Sequence, residues 1–348
     1  MKVTPEHLRE IAFTILKGLK ATDEEAALVA ESLVRSNMRG IDTHGVNYLK
    51  PLSERVRAHL MDIPTNIRLI KDADTTALLD GGNGFGQVAA HRAMRISIRK
   101  GRDFGIGLTL VRNTNHIGFL SFYTLMAAAE GMIGICACNA AASMAPWGGS
   151  KPFLGTNPLS IALPTDSKAP VVLDMSASVV ARGKIRRAQR LKEEIPIGWA
   201  LDEKGQPTTD PSAAIKGTLL PIGGPKGSAL ALIVDVLAGV ISGSKYGNNV
   251  ETFHQLRGPT GIGVLAMAID IERFMPLNHF KELMRSYIES IKRTKKTKEV
   301  RQIYLPGEIE FEEEKRTEAE GIEIDTVVAE SLNDILRGMK SPLRLTEE

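Results

Sequence analysis

The sequence contains few of the features that would assign it to a specialised class of protein. Its 348 residues include only two cysteines and 5% aromatic residues, and the net charge is only +3. So small a charge argues against nucleic-acid binding, and no stretch interleaves basic residues with aromatic ones. The longest apolar run, 229–241, is interrupted by an aspartate and is too short to span a bilayer. We therefore expect a cytoplasmic globular protein with no membrane or nucleic-acid partner, since the first residues also lack the pattern of a signal peptide.

The two cysteines, Cys136 and Cys138, lie in one apparent strand with a single residue between them. Side chains two positions apart on a strand share a face, from which a disulfide between them would be strained. They have no companion ligands at metal-site spacing, so we expect no bound metal. We interpret both as small core residues in a reducing compartment.

The beginning of the chain, residues 1–72, predicts helices. Thr4 and Pro5 suit the start of a first helix, and Thr22-Asp-Glu-Glu25 is a capping box that begins a second. A third helix is predicted over 49–60. The end of the chain, about 276–348, has helical patterns again, so we predict one helical lobe made from both ends of the chain.

The middle of the chain, residues 73–275, alternates short apolar runs with helical patterns. This alternation is typical of an α/β layer architecture. The stretch 196–225 is rich in Gly, Pro, Thr and Asp, which predicts an irregular surface excursion near the site. The following segment, 226–241, predicts a helix with an apolar stripe.

His116 is the strongest candidate for chemistry. It follows a predicted buried strand, 105–111, and the turn-forming residues Asn113, Thr114 and Asn115. The histidine therefore lies on the connection that leaves a strand's carboxyl end, where ligands bind in open α/β sheets. Its ordinary pKa near 6.5 allows proton exchange at cellular pH. A lone histidine is more often structural, so other residues have to support this role.

Two glycine-rich turns invite comparison with phosphate-binding loops. Asp80-Gly-Gly-Asn-Gly-Phe-Gly86 follows a strand, but the Rossmann spacing would require a glycine where the sequence has Gln87. We predict a strand-to-helix turn there with no direct dinucleotide role. Gly223-Gly-Pro-Lys-Gly227 precedes a helix, and its amides and lysine predict a seat for a pyrophosphate or carboxylate. A tight turn with a solvent-facing lysine is an equal alternative.

Three single residues add weaker signals. Asn157 precedes a proline, which favours extended backbone and leaves its amide free to bond a ligand. Asp174 closes a strand and would either accept from ribose hydroxyls or cap the next helix. His44, in Asp42-Thr-His-Gly45, is either a second site histidine or part of a capping turn. No catalytic triad, metal-ligand spacing or nucleophile accompanies them.

Eight motifs, taken in order, resemble the type-2 malate/L-lactate dehydrogenase family. The match runs across nearly the whole chain with compatible spacing. The resemblance implies NAD or NADP binding on a mixed sheet flanked by helices, distinct from a Rossmann fold, and homodimers or higher assemblies with sites near subunit contacts. The motifs are Asp42-Thr-His-Gly45, Asn115-His-Ile-Gly118, Ala145-Pro-Trp-Gly-Gly149, Gly155-Thr-Asn-Pro158, Leu173-Asp-Met-Ser176, Pro207-Thr-Thr-Asp-Pro211, Gly223-Gly-Pro-Lys-Gly227 and Leu305-Pro-Gly-Glu308.

The resemblance also implies roles for particular residues. His116 would exchange the proton at the substrate's hydroxyl or ketone, and His44 would line the nicotinamide and substrate pocket. Thr43, Tyr48 and Arg257 are expected on the substrate side. The residues expected to hold the dinucleotide are Thr156, Asn157, Asp174, Met175, Ser176, Gly224, Pro225, Lys226, Pro306, Gly307 and Glu308.

Position 48 departs from the family pattern, which usually has an arginine there to clamp the substrate carboxylate. Tyr48 supplies a hydroxyl but no charge, so another cation has to pair with the substrate. Our sequence candidates are Arg257, Lys226 and Lys184. The cofactor preference stays open, because Asp174 suits a free ribose diol whereas the nearby Arg182, Arg186 and Arg187 suit a 2′-phosphate.

These observations predict reversible hydride transfer between NAD(P)H and a 2-oxo acid, with protonated His116 delivering the proton. Malate and oxaloacetate are the first substrate pair, and sulfolactate is a close second. A metal-dependent hydrolase using His44 and His116 is an alternative, although no third ligand is spaced to join them. A non-catalytic nucleotide sensor is another.

Overall fold

The fold centres on a seven-stranded mixed sheet flanked by helices, seen in a computed structural model that describes residues 1–167 and 169–346. The strands are β1 (Lys2–Val3), β2 (Arg68–Asp72), β3 (Thr76–Asp80), β4 (Ile106–Thr114), β5 (Met132–Cys138), β6 (Leu159–Leu163), β7 (Val171–Met175), β8 (Ala200–Leu201), β9 (Thr218–Leu219), β10 (Ile262–Asp270) and β11 (Ile322–Glu323). The helices are α1 (Pro5–Gly18), α2 (Asp23–Met38), α3 (Leu49–Arg57), α4 (Gly86–Phe104), α5 (Ser121–Ala129), α6 (Arg182–Leu191), α7 (Pro211–Lys216), α8 (Pro225–Val234), α9 (Leu277–Lys292), α10 (Glu308–Glu320) and α11 (Thr326–Gly338).

The large sheet has the strand order β2-β3-β4-β10-β5-β6-β7. The pair β3 and β4 is parallel, and the other neighbours in this sheet are antiparallel. The short apolar runs of the middle of the chain, which predict six strands, all lie in this sheet: 76–79, 106–111, 133–138, 159–163, 171–173 and 263–269. Cys136 and Cys138 are both buried and unpaired on β5, as small core residues. No helix in the described ranges, 1–167 and 169–346, is both long enough and apolar enough to cross a membrane.

The helices at the beginning of the chain start where capping predicts. The Thr4 side chain accepts from the His7 amide with Pro5 at the first helical position, and both halves of the Thr22–Glu25 capping box are formed. The buried faces of α1, α2 and α3 share one apolar cluster with Ile322 and residues of α11, and β1 pairs with β11. The two ends of the chain therefore pack together.

Two segments that were predicted to belong to the helical lobe lie outside it. Residues 68–72 form the edge strand β2 of the large sheet and extend the sheet beyond position 73. Helix α9 buries none of its residues. It contacts segments next to the large sheet, since Leu277 lies beside Gly131 and Arg285 pairs with Asp166. The division into lobes at 72/73 stays a prediction.

The segment 196–225 is more ordered than its composition suggested. It contains β8, α7 and β9, and these pack on an apolar cluster that includes Ile185, Ala200 and Leu219. Helix α6, which the sequence analysis did not predict, belongs to the same cluster. Its only buried residues are Ile185 and Ala188, too few to give a clear apolar stripe.

The helix predicted over 226–241 consists of α8 and a π-helical turn, Asp235–Val240. Its small residues face the sheet: a Cβ added at Gly239 would lie 2.5 Å from the Asn139 amide nitrogen. With the small residues against the sheet, most of the predicted apolar stripe lies on the outer side of the helix. The exposed side chains are Leu232, Ile233, Val236, Leu237, Val240 and Ile241.

Candidate active site

Five aromatic or imidazole rings converge where three separate parts of the chain meet. Tyr48 stacks on His116 with ring centroids 4.0 Å apart and planes within 12°. His44 lies 5.3 Å from His116, Phe253 lies 5.8 Å from His116, and His254 lies 5.6 Å from Tyr48. We call these five residues the ring pocket.

The turn that carries His44 is anchored by Asn37, a buried residue of α2. The Asn37 amide donates to the Asp42 carboxylate at 2.8 Å, and its oxygen accepts from the Val46 amide at 2.9 Å. Gly45 allows this contact, because a Cβ there would lie 2.1 Å from the Asn37 oxygen. The Thr43 hydroxyl lies 2.9 Å from His44 Nδ1 and fixes the imidazole.

The loop that carries His116 is fixed by its neighbour Asn115, which is fully buried. The Asn115 amide donates to the carbonyls of Asn83 and Gly84, both at 2.9 Å, and its oxygen accepts from the Thr260 hydroxyl at 2.8 Å. Gly86 brings α4 against this loop, since a Cβ there would lie 2.2 Å from the Asn115 carbonyl oxygen. The glycine-rich turn 80–86 therefore packs beneath the His116 loop, in agreement with the strand-to-helix turn that was predicted.

His116 has a defined tautomer in the ligand-free protein. The Gly118 amide donates to Nδ1 at 3.2 Å, so a neutral ring carries its proton on Nε2. Burial holds the pKa of His116 well below its ordinary value, and the neighbouring His44 and His254 lower it further. A protonated His116 in the complex with substrate stays a prediction, and it requires a nearby negative charge that raises this pKa.

The other titratable rings are also uncharged at neutral pH. Burial lowers the pKa of His44 to about 4. Burial lowers the pKa of His254 to about 4 as well, with contributions from the positive charges of Arg186 and Arg182. The pKa of Tyr48 is raised to about 12 by burial, partly opposed by Arg186. The ring pocket is therefore a neutral, weakly hydrated surface that presents a phenol hydroxyl and imidazole groups.

The loop that carries Phe253 and His254 is held by Arg55, a residue that the sequence analysis missed. This fully buried arginine of α3 donates to the carbonyls of Gln255 at 2.8 Å and Gly258 at 2.6 Å. Its guanidinium carbon also lies 5.2 Å from the centroid of the Phe253 ring. No local pattern signals this role, because the partners lie two hundred residues away along the chain.

The residues expected to hold the dinucleotide gather along one edge of the sheet. The Ala177 amide donates to the Thr156 carbonyl at 2.8 Å, and the Ile222 amide donates to the Ala177 carbonyl at 2.9 Å. On the other side of β7, the Val172 amide donates to the Pro306 carbonyl at 2.9 Å. Backbone hydrogen bonds thus join four segments around β7: 156–157, 174–176, 222–226 and 305–308.

Several of these side chains are already engaged within the protein. The prediction of a free amide at Asn157 is wrong: it is buried, donates to the Ala231 carbonyl and accepts from the Ala140 amide. Its φ of +36° also differs from the extended backbone that was expected. Glu308 accepts from the Leu305 amide at 2.8 Å and pairs with Lys292.

Asp174 accepts from the Ser121 amide at 2.7 Å, at the first residue of α5. Asp174 therefore caps α5, which precedes it in the sequence, and not α6, which is the next helix along the chain. The residue is exposed to solvent, yet packed atoms around the carboxyl group raise its pKa, despite the bond from Ser121 and the charge of Arg39. Ser176 lies beside it with its hydroxyl 3.1 Å from that of Ser178.

The turn before α8 fits a ligand only in part. Gly223 and Gly224 both have positive φ, but the amides of Gly224, Lys226 and Gly227 donate to carbonyls within the turn. This geometry favours the tight-turn alternative over a row of free amides. The space next to Gly224 is nevertheless shaped by the exposed ring of Trp147, which a Cβ at Gly224 would approach to 2.9 Å. A flat aromatic face over a glycine is a suitable wall for a planar heterocycle.

The cations that act on the ring pocket differ from those proposed from the sequence. Arg257, Lys226 and Lys184 are exposed, and Arg257 lies on the same loop as His254. The charges felt by Tyr48 and His254 come from Arg186 and Arg182 of α6. The sequence suggests these two arginines only for a 2′-phosphate, because α6 has too few buried residues for its pattern to show that they share a helical face.

Comparison with known proteins identifies the class to which this fold and site belong. The family model described as malate/L-lactate dehydrogenase matches residues 3–333. The malate dehydrogenase of Pyrococcus abyssi is 38% identical over 345 residues, which covers 97% of this chain and 94% of the relative. The solved structure of sulfolactate dehydrogenase from Methanocaldococcus jannaschii superimposes with a TM-score of 0.92 at 34% identity, covering 98% of each chain.

Further relatives carry a cofactor in their names. Ureidoglycolate dehydrogenase (NAD(+)) of Escherichia coli K12 is 31% identical over 97% of this chain and 96% of its own length. The (2R)-3-sulfolactate dehydrogenase (NADP(+)) of Chromohalobacter salexigens is 33% identical over 80% of this chain and 84% of its own length. Fold and relatives together define the class as dehydrogenases of 2-hydroxy acids. The chain belongs to the malate/L-lactate dehydrogenase family.

Proposed function

We propose that the protein catalyses reversible, NAD- or NADP-dependent reduction of a 2-oxo acid to a 2-hydroxy acid. Oxaloacetate and malate are the first substrate pair, and sulfopyruvate and sulfolactate are the second. The observation that carries the proposal is the ring pocket, in which His116 presents Nε2–H from a loop locked by Asn115. The family membership supports the reaction class, since relatives are named as malate and sulfolactate dehydrogenases.

The dinucleotide would lie along the edge formed by the segments around β7, with Thr156, Met175 and Ser176 against it. Trp147 and Gly224 offer a surface for a planar ring, and the exposed Asp174 is available to ribose hydroxyls. A bound reduced nicotinamide would supply the hydride. We propose that the strands of this largely antiparallel sheet provide this site without a Rossmann strand order.

His116 would exchange the proton at the substrate oxygen. In oxidation of a 2-hydroxy acid, Nε2 accepts the hydroxyl proton as the hydride leaves carbon 2. This step requires the tautomer with its proton on Nδ1, so the Gly118 amide has to release Nδ1 when substrate binds. In the reverse direction, the proton goes from the ring to the oxygen of the former carbonyl. Because the pKa of His116 is low in the ligand-free protein, protonation has to accompany the binding of an anionic substrate, whose charge raises that pKa.

Tyr48 and His44 would orient the substrate and exclude water. The Tyr48 hydroxyl stays protonated at neutral pH and is therefore available as a donor to a substrate oxygen. Its ring covers one face of His116, and Phe253 closes an adjacent side. This enclosure strengthens the electrostatic interactions of the reacting groups, since bulk water is displaced.

The test is turnover of His116→Asn with both cofactors and a panel of oxaloacetate, sulfopyruvate, pyruvate and 2-oxoglutarate, followed by absorbance at 340 nm. We expect kcat to fall by about 10²- to 10⁴-fold while the affinity for NADH is retained. NADH binding is followed by tryptophan fluorescence, for which Trp147 is suitably placed. His279→Gln, on the exposed face of α9, is the matched control. Near-normal turnover of His116→Asn would contradict the role of His116.

We also propose that the protein assembles as a homodimer or higher oligomer through the outward face of α8 and its π-helical turn. Six large aliphatic side chains are exposed on this one helix, with Ile241 61% exposed and Ile233 52% exposed. Monomeric proteins rarely leave so large a contiguous apolar patch in water. A second copy is the natural cover, since symmetric dimers bury the same patch on both subunits.

Sedimentation equilibrium tests the assembly. We expect the wild type to sediment as a dimer or larger species and Ile233→Glu to shift it towards the monomer. Val327→Glu introduces the same charge at an equally exposed position on α11 and should leave the assembly intact. A monomeric wild type would exclude this interface. The cytoplasmic location expected from the sequence stays a prediction.

A further inference from the structure

Helix α6 lies directly against the part of the chain that carries His44. A Cβ added at Gly183 would lie 2.6 Å from the Thr43 methyl group, so the first turn of the helix is in contact with the turn 42–44. Arg182 and Arg186 are four residues apart and share one face of this helix. The contact at Gly183 therefore fixes both arginines at the border of the ring pocket.

The charges of these arginines act on the Tyr48 side of the pocket. Arg186 lowers the pKa of Tyr48 and of His254, and Arg182 lowers the pKa of His254 as well. The five side chains of the ring pocket are tyrosine, phenylalanine and histidine, so none of them is an anion at neutral pH.

Arg182 is also poorly satisfied within the protein. Arg182 donates to the Ile215 carbonyl, but its Nε is buried and has no hydrogen-bond partner among residues 1–167 and 169–346. The charge of Arg186 adds to burial in lowering the pKa of Arg182, so each cation destabilises the other. A buried guanidinium nitrogen without an acceptor and two like charges on one face are both relieved by a bound anion.

We propose that Arg186 and Arg182 bind the acid groups of the substrate, in place of the charge that Tyr48 lacks, and that they select 2-oxo acids with two anionic groups. This inference rests on the proposed function, because it assigns the substrate to the ring pocket. Arginine suits the task since its planar fork can donate two bonds to one carboxylate or sulfonate. A substrate with one carboxylate engages only part of this charge, whereas a dicarboxylate or sulfonate-carboxylate neutralises both arginines.

The substrate charge also accounts for the protonation of His116. The two arginines lower the pKa of His254, and His254 together with His44 lowers the pKa of His116. A dianion cancels the field of the arginines and adds hydrogen-bonding oxygens, so proton uptake and substrate binding become coupled. A monoanion leaves one positive charge uncancelled.

The experiment compares Arg186→Gln with Arg186→Lys and the control Arg187→Gln. Arg187 is the adjacent exposed arginine of α6 and lies about 100° around the helix from Arg186. For Arg186→Gln we expect KM for oxaloacetate to rise by about 30-fold, with kcat and the KM for pyruvate changing by less than about 5-fold. Arg186→Lys should recover part of the loss. With NADH, which has no 2′-phosphate for Arg187 to bind, Arg187→Gln should stay within about 2-fold of the wild type.

Calorimetric titration with tartronate, a dianion that is not reduced, measures binding alone in the presence of NADH. We expect Arg186→Gln to weaken tartronate binding to a similar extent, while NADH and NADPH affinities are unchanged. Equal tartronate affinity in the wild type and Arg186→Gln overturns the inference. So does a loss confined to NADPH, which would assign the arginine to the 2′-phosphate. Weakened tartronate binding in a protein that turns over no 2-oxo acid would support the arginine site and contradict the proposed function.

Discussion

At the scale of single residues, burial sets the protonation of the candidate site. His44 and His254 have pKa values of about 4, and the pKa of His116 also lies well below 6.5. The His44 and His116 rings are stacked with centroids 5.3 Å apart, and His254 is tilted against Tyr48. A charge added to one of these imidazoles would lose hydration and repel a charge on its neighbours. The lowered pKa therefore favours the neutral form of His116 at neutral pH.

The lowered histidine pKa values predict that the protein loses stability in mild acid. In the unfolded chain these histidines take up protons near pH 6.5, whereas in the folded protein they stay neutral until about pH 4. Their contribution to stability is therefore complete above pH 6.5 and is lost as the pH falls towards 4. We expect Tm to fall between pH 7.5 and 5.0, and to fall less in His44→Gln. An unchanged slope in His44→Gln, equal to that of His279→Gln, would contradict this.

The same shift predicts the pH profile of catalysis. The quantity kcat/KM reports the ionisation of the free enzyme, and oxidation of a 2-hydroxy acid requires neutral His116. We expect kcat/KM for malate oxidation to be constant between pH 6.5 and 8 and to fall only in more acidic solution. Initial rates at low malate concentration measure this directly. A midpoint at pH 7 or above would mean that His116 is not the proton acceptor or is far more hydrated than its surroundings indicate.

At the scale of secondary-structure elements, close approach through glycine positions the catalytic loop. Helix α4 begins at Gly86, directly beneath the carbonyl groups of Asn115 and His116. A residue with a side chain at position 86 would push the loop away from the helix. Sequence spacing correctly excluded a dinucleotide fingerprint here, but only the packing explains why the turn contains so many glycines.

Gly86→Ala should therefore destabilise the protein and reduce turnover together. The added Cβ would lie 2.2 Å and 2.4 Å from two backbone oxygens, which cannot rotate away as a side chain could. We expect a loss of about 2 kcal/mol in the free energy of unfolding, with kcat reduced by about 10-fold. Urea denaturation and initial rates measure both quantities.

Gly338→Ala is the control with the opposite expected sign. Nothing lies within 4 Å of a Cβ at this position near the end of α11, so alanine should stabilise the protein by about 0.5 kcal/mol. Equal stability changes for Gly86→Ala and Gly338→Ala would show that close packing at Gly86 does not control the loop.

At the scale of the whole molecule, the two ends of the chain are joined by packing and by a buried ion pair. Glu314 of α10 pairs with Arg35 and with Arg39 at the end of α2, and the Thr317 hydroxyl donates to the Met38 carbonyl at 2.8 Å. The Arg39 side chain is 3% exposed, so its charge depends on this partner. The pair holds α10 against the helix that leads into the His44 turn.

Glu314→Ala should lower the free energy of unfolding by about 3 kcal/mol, because it removes the carboxylate that is paired with the buried Arg39 guanidinium. Thermal and urea denaturation measure the loss. Glu318→Ala, on the exposed side of the same helix, should change stability by less than about 0.5 kcal/mol. If both variants unfolded alike, the ion pair would not contribute to joining the two ends of the chain.

The sequence alone determined the features that depend on local chemistry. Helix starts at Thr4 and Thr22, the six apolar strands, and the candidacy of His116 all follow from capping residues, side-chain periodicity and the order of strand and turn. Resemblance supplied the residues expected around the cofactor, whose backbone segments lie together around β7.

Tertiary structure alone decided which side chains are engaged and which charges reach the site. The Asn157 amide is hydrogen-bonded to the backbone of Ala140 and Ala231. Arg55 holds a loop two hundred residues away, and Arg186 lowers the pKa of Tyr48 from a helix without a clear apolar stripe. Hydrogen bonds and Coulombic interactions depend on distance in space, and sequence spacing does not encode the distance between separate elements. The ring pocket exists only because three distant segments pack against one another.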